Sequence, residues 1–413
     1  MRFIHLIACI LLILNIYSCN KESGSSSKTY CKSGAHKITS GASSEFFGGE
    51  NIDVAIYDGE RRSVSIIGNK ADSTKGSSSG AAYVLYYDYS EKMWVKEAKI
   101  VADDLKKGDW FGASVDLIDG YALIGAPYKD YSNQKDVGAA YLYKYDTVLK
   151  EWVLDTKFMP QIKISGDLFG IDVAVGTDIV LIGAHRDDTM GNSAGAAYVF
   201  TKNSTGAWIE EKLTASDGQA GATFGKNVVL ANGTILISAA WDDTSGINSG
   251  AVYVFKKNGS SWQEEDKLFP SGVEVGDLFG YSIAVYDSIA VIGAPFDDDK
   301  GIDAGAVYLY AYNGESWRLQ GKLTPSDGED SGEFGRNVAI SSDTIIVSAK
   351  KNKSGIGYIF KFSNSLWTEE GKITPPGSYT DAYYAEEVAI SSKNTAIFGA
   401  QSSSTAAYIY CDK

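Results

Sequence analysis

Cysteine is scarce. Only 4 occur in 413 residues, at Cys9, Cys19, Cys31 and Cys411, which excludes a disulfide-dense scaffold. Histidine is scarcer, with 3 in all, and His5, His36 and His185 stand far apart. No His-rich metal motif, Gly-x-Ser-x-Gly elbow or phosphate-cradling glycine loop occurs, so little supports enzyme chemistry. Proline, at 7 residues, is too sparse for a proline-rich linker protein. Basic charge is in deficit, 38 Lys and Arg against 52 Asp and Glu, for a formal net charge of -14. The basic footprint that phosphate backbones require is missing, and nucleic acid is not expected as a partner. A long apolar run occurs at Met1–Ser18, MRFIHLIACILLILNIYS. It is short for a membrane span and reads as a secretory signal peptide.

What the chain has in quantity is strand-forming residues in a repeating order. Phe-Gly stands at 47–48, 111–112, 169–170, 224–225, 279–280 and 334–335, with a worn form, Tyr384-Ala385, at the end. The intervals are 64, 58, 55, 55, 55 and 50 residues. Each unit reads as four strands. The first opens on Phe-Gly, as in FGASVDL or FGYSIAV, and the second closes on LIGA, LISA or VIGA. The third is GAAYVF or a close variant, and the fourth carries Trp94, Trp152, Trp208, Trp262, Trp317 or Trp367. Aromatic and β-branched strands with interspersed glycine exclude a helical array and leave a propeller or a β-solenoid. Small residues suit the crowded axis of a ring, and aromatics suit the wedges between blades.

The two ends of the repeat region decide for a ring. The last unit ends three residues after AAYIY, with three strands, and His36-Lys37-Ile38-Thr39 precedes the first Phe-Gly as Lys212-Leu213-Thr214 precedes the fourth. The expectation is therefore an all-β, seven-bladed β-propeller of four-stranded antiparallel blades, the last completed by the N-terminal strand. Residues 1–18 are the signal peptide, 19–30 a flexible tether and 31–413 the propeller. On the same alignment Cys31 and Cys411 flank the missing hairpin loop, and a disulfide between them would close the ring. Ile16-Tyr17-Ser18-Cys19 resembles a bacterial lipobox, with Cys19 as the lipidated residue. The expected location is the cell envelope as a lipoprotein, the alternative a secreted soluble protein.

FGASVDLIDGYALIGAP at 111–127 and FGYSIAVYDSIAVIGAP at 279–295 carry Phe-Gly followed by Gly-Ala-Pro. This resembles the FG-GAP repeat, in its bacterial type, and is similar at more distance to the propeller of integrin alpha subunits. The resemblance covers residues 36–411 and implies an extracellular binding or adhesion module. It also implies calcium loops of the form Asp-x-Asp-x-Asp-Gly-x-x-Asp between strands one and two, and here the chain departs from it. Those connections are short turns such as Leu117-Ile118-Asp119-Gly120-Tyr121 and Tyr286-Asp287-Ser288. A calcium site wants six to eight oxygens, several of them acidic. The integrin-type calcium sites are absent, and no cofactor is firmly implied beyond a possible Ca2+.

The strand two-to-three loops and four-to-one links share one face and are rich in Asp, Ser and Gly, the usual setting for recognition. Asp187-Asp188, Asp242-Asp243 and Asp297-Asp298 recur there. They are the weak metal candidates, though a recurring Asp also shapes its own turn. His185, Arg186 and Trp241 depart from the Pro found at 127 and 295, and are the ligand candidates. The reading that results is a monomeric, exported or surface-tethered module that binds a protein or glycan of the envelope or exterior. A scaffold without a small-molecule site is the alternative, and a carboxylate-dependent glycan-processing enzyme a third.

Overall fold

The structure, a computed structural model, describes residues 36–38, 54–58, 63–88, 90, 93–231, 233–351, 354–374, 383–390, 395–401 and 406–411. Among them every regular element is a strand, and all pairing between strands is antiparallel. Six sheets are meanders of four consecutive strands. We number them blade one (54–100), two (115–158), three (173–213), four (228–268), five (282–323) and six (338–373). Blade five shows the plan, with strands Ser282–Tyr286, Ile289–Ala294, Ala306–Tyr312 and Trp317–Leu323. Its second and third strands are buried along almost their whole length, because neighbouring blades cover both faces of each blade. The fourth strand of each blade is more exposed and carries Lys, Glu and Gln between its apolar residues.

The remaining sheet is composite, in the order His36–Ile38, Ala406–Cys411, Thr395–Gln401, Tyr383–Ile390. Ala407 pairs with Ile38 and Tyr408 with Lys37, repeating the register of Ala197 with Leu213 and Tyr198 with Lys212. Tyr383–Ile390 packs between blade six and the first strand of blade one. The expectation of seven like blades is thus corrected to six contiguous blades and one composite closing sheet. That sheet carries Tyr384-Ala385 in place of Phe-Gly, and its first pairing is irregular between Tyr384 and Glu387.

The Cys31–Cys411 disulfide is a second correction. No two of the 4 cysteines stand at disulfide distance. The N-terminal strand's pairing starts at His36 opposite Ile409, short of Cys411. Closure therefore rests on backbone hydrogen bonds. Cys31, the leader, Cys19 and the 19–30 tether lie outside the described residues. No described helix is long and apolar enough to cross a membrane.

Phe-Gly does not open the first strand, as its sequence suggests. It precedes the strand and joins two blades. The amides of Phe111, Phe169, Phe224, Phe279 and Phe334 donate to carbonyls just before the third strand of the preceding blade, at Ser79, Val137, Ala194, Ser249 and Ala304, over 2.8–3.1 Å. The following glycine donates back into its own blade, as Gly170 does to Gly183 at 2.9 Å. The five Phe side chains are fully buried, each edge-on to a tyrosine of its own third strand.

This joint leaves no room for a side chain on the facing glycine. A Cβ on Gly195, whose φ is +89°, would lie 2.0 Å from the Phe224 carbonyl oxygen. Gly206 has a similar φ of +85° but nothing within 4 Å. Gly206→Ala should therefore cost only the left-handed backbone penalty, about 1–2 kcal/mol. Gly195→Ala should cost at least twice that in urea unfolding, because the blade interface must open; equal losses would mean that the joint is slack.

Candidate functional site at the mouth of the central channel

The first strands line the axis, and the second residue after each Phe-Gly forms a polar belt: Ser114, Asp172, Asn227, Ser282 and Asn337, with Glu387 from the closing sheet. Several of these side chains fasten one blade to the next. The Ser114 and Ser282 hydroxyls donate to the carbonyls of Gly170 and Gly335 at 2.9 and 2.8 Å. Asp172 Oδ2 accepts the Val228 amide at 2.7 Å, and Asn337 donates to Glu387 at 2.5 Å. One turn of strand deeper, Asp116 Oδ2 accepts the Val175 amide at 2.7 Å. Burial pushes Asp116 up to about 6 and Asp172 up to about 7, against the pull of these amide bonds.

Above the belt, on the loop-rich face, the channel opens into a cavity of about 270 Å³. Its rim holds Lys70, Trp110, Lys226, Tyr281 and Arg336. Lys226, Tyr281 and Arg336 are the residues immediately after Phe-Gly in blades four, five and six. Lys226 Nζ lies 3.6 Å from the Tyr281 ring centre and 4.6 Å from that of Trp241. Lys70 Nζ lies 4.3 Å from that of Trp110. Arg336 pairs with Glu333 at 2.5 Å and leans over Tyr281 at 5.8 Å. Among the described residues Lys226 has ring contacts but no ion pair. Burial pushes its amine down to about 7, the Arg336 charge adds to this, and Glu387 and Asp172 oppose it.

The ligand candidates divide. Trp241 reaches the mouth, its ring 6.2 Å from that of Tyr281. His185 lies close enough for Lys226 to bear on it, and its Nδ1 is buried without a hydrogen-bond partner. Burial chiefly, then Arg186 and Lys226, push the imidazole down to about 4, so it is neutral near pH 7. Arg186 is exposed, and its charge also bears on Asp136 in the preceding blade.

The paired aspartates are built into the loops. Asp187, Asp242 and Asp297 are buried, each accepting a lysine of its own fourth strand at 2.5–3.0 Å and a third-strand tyrosine at 2.9–3.2 Å. Asp188, Asp243 and Asp298 each accept the backbone amide five residues on, at 2.7–2.8 Å. Among the described residues no group of three or more His, Cys, Asp and Glu side chains is gathered to hold a metal ion.

The FG-GAP repeat pattern matches five segments, residues 94–143, 152–200, 208–255, 262–310 and 317–360, together more than half of the chain. The chain belongs to the FG-GAP repeat family. Each matched segment runs from the fourth strand of one blade to the third of the next, so the Phe-Gly joint lies at its centre. Two solved structures are similar to this chain, and the first shares its fold. One is a Bacteroides fragilis protein described as a "putative 6-phosphogluconolactonase", 9% identical, with a TM-score of 0.53 over 84% of this chain and 89% of that one. The other, a Desulfotomaculum acetoxidans protein of unknown function, is 12% identical, with a TM-score of 0.48 over 78% and 88%. No curated protein matches the chain. None of these relatives ties it to integrin alpha subunits in particular.

Lys70, Trp110, Lys226, Tyr281 and Arg336 were not singled out by the loop pattern, yet the FG-GAP repeat carries the signal of the last three. The column after Phe-Gly reads Ala113, Ile171, Lys226, Tyr281 and Arg336, the most varied column of an otherwise regular strand.

The belt yields a pH prediction. Raised carboxyl pKa values mean that the folded state holds protons the unfolded state has lost, so Asp172 lowers stability as pH climbs from about 4 through about 7. Asp172→Asn keeps an oxygen for the Val228 amide, as Asn337 does for Val388 in blade six. It should be neutral at pH 4 and stabilising by about 1–2 kcal/mol at pH 8, read from urea midpoints; destabilisation at pH 8 would contradict the assignment.

Proposed function

We propose that this FG-GAP propeller is a binding module rather than an enzyme, and that its loop-face channel mouth takes an acidic glycan. One observation carries the reading. On a chain of net charge -14, Lys70, Lys226 and Arg336 converge on one small cavity among Trp110, Tyr281 and Trp241. Ammonium and guanidinium groups bind carboxylates, and aromatic faces stack on sugar rings, so a uronate-bearing oligosaccharide meets both. A cavity of about 270 Å³ suits the end of such a chain rather than a flat protein surface. Export fits such a ligand. The N-terminal leader and Cys19 support a cell-envelope setting, tethered or secreted, with the protein acting as a monomer.

The scaffold reading is favoured by a different observation: much of the polar belt is already engaged in blade-to-blade hydrogen bonds. It leaves the rim above the belt without a role. The lactonase-described neighbour lends only its fold at 9% identity.

A glycan array probed with the purified protein should retain uronate-bearing oligosaccharides over neutral ones. Binding should strengthen as pH falls through about 7, where Lys226 gains its charge. Lys226→Met and Trp241→Ala should each weaken binding at least about tenfold, the loss of one charge-assisted contact or stacking partner. Arg186→Ala should leave it unchanged. No glycan bound at any pH, or mouth variants that bind as well as the parent, would support the scaffold.

A further inference from the structure

Blade two contains a lysine where its neighbours carry an acid. The 2–3 loop position held by Asp187 in blade three and Asp297 in blade five is Lys129 in blade two, and it is buried. Its Nζ lies 2.8 Å from Asp109 Oδ2 and 2.6 Å from the Asp104 carbonyl oxygen. Asp109 is two residues before Phe-Gly, and the same place holds Asp167 in blade three. Asp167 is only 2% exposed, and its Oδ2 is buried with no hydrogen-bond partner. The amide that serves Asp109 from Lys106 has no counterpart at that oxygen.

The charges do not balance in the same way. In blade two Asp104 and Asp109 face two ammonium groups, Lys157 and Lys129. In blade three Asp187 and Asp167 have Lys212 alone, and Lys212 is bound to Asp187 at 2.6 Å with Tyr198 also on that carboxylate. Exposed Asp188 adds further negative charge. Blade three is short of one positive charge, at the spot where blade two places a lysine.

We propose that blade three binds a monovalent alkali cation between Asp167 and Asp187, in the place that Lys129 Nζ takes in blade two. Asp167 Oδ2 is the charged ligand. The carbonyl of Ile162, which corresponds to that of Asp104, is the second oxygen. A divalent ion is the poorer match, because it needs several free acidic oxygens and Asp187 is already engaged. Burial and the Asp187 charge otherwise push the Asp167 carboxyl up to about 7, and the ion is the alternative to that proton.

The test is made on the whole chain at pH 8. Crystals soaked in rubidium chloride should show an anomalous peak in contact with Asp167 Oδ2. Replacing potassium by tetramethylammonium at constant ionic strength should lower the urea midpoint of the parent. Asp167→Asn should abolish that salt difference, and so should the pair Ile162→Asp with Asp187→Lys, which rebuilds blade two's own lysine. No rubidium peak, or a parent and Asp167→Asn that respond alike to the salt exchange, would overturn the proposal and leave a protonated acid.

Discussion

The joint at Phe-Gly is the constraint on which the rest depends. A blade is a twisted sheet with two apolar faces, and it is stable only when both are covered by like blades. Here the covering is made directional. The phenylalanine amide donates across to the preceding blade while its ring enters its own, and the glycine carbonyl beside it nearly touches the second strand of the preceding blade. A Cβ on Gly125 or Gly293 would stand 2.2 or 2.0 Å from the carbonyl oxygen of the next blade's Phe-Gly glycine. Glycine at both places lets backbone meet backbone, and so sets the inner radius of the ring.

Where the second strand carries serine instead, the first strand changes with it. Ser238 and Ser348 accept the amides of Asn227 and Asn337 at 2.8 Å, whereas Gly125 and Gly293 face Ser114 and Ser282. The exchange keeps one small polar group in the gap and moves it from one strand to the other. The loops compensate likewise. Where Lys129 replaces the loop aspartate in blade two, and where blade six has a shorter connection between its second and third strands, the blade's tyrosine and lysine turn to Asp104 or Asp327, seven residues before Phe-Gly. Every such tyrosine thus has an acid, supplied by whichever segment has one. A rigid frame with interchangeable parts lets single columns vary without disturbing the blades, and the channel mouth draws on one of those columns.

Much of the fold was legible in the sequence because its signals are repeated and local. The four strands of blade five, the tryptophan on each fourth strand and the register of His36–Ile38 against Ala406–Cys411 follow from aligning one unit with the next. The count of like blades was overstated because Tyr384-Ala385 keeps the place of Phe-Gly in a sheet that is composite and irregularly paired. The disulfide was inferred from position in the alignment, which says nothing about whether the chain near Cys31 continues the strand. The mouth was harder to see. Trp241 and His185 stood out as breaks in a loop pattern, but Lys226 and Arg336 look like ordinary surface residues between strand positions. Only the closed ring turns them inward, and only burial among rings makes Lys226 chemically distinct.

The central claim is that the blades are held as one body through the Phe-Gly joint, and native-state hydrogen exchange tests it most directly. The amides of Phe111, Phe169, Phe224, Phe279 and Phe334 should exchange only with global unfolding, with one common free energy shared by amides in the middle of the second strands. Phenylalanine amides that exchange one blade at a time, well below the global value, would show the joints opening independently and would contradict the account.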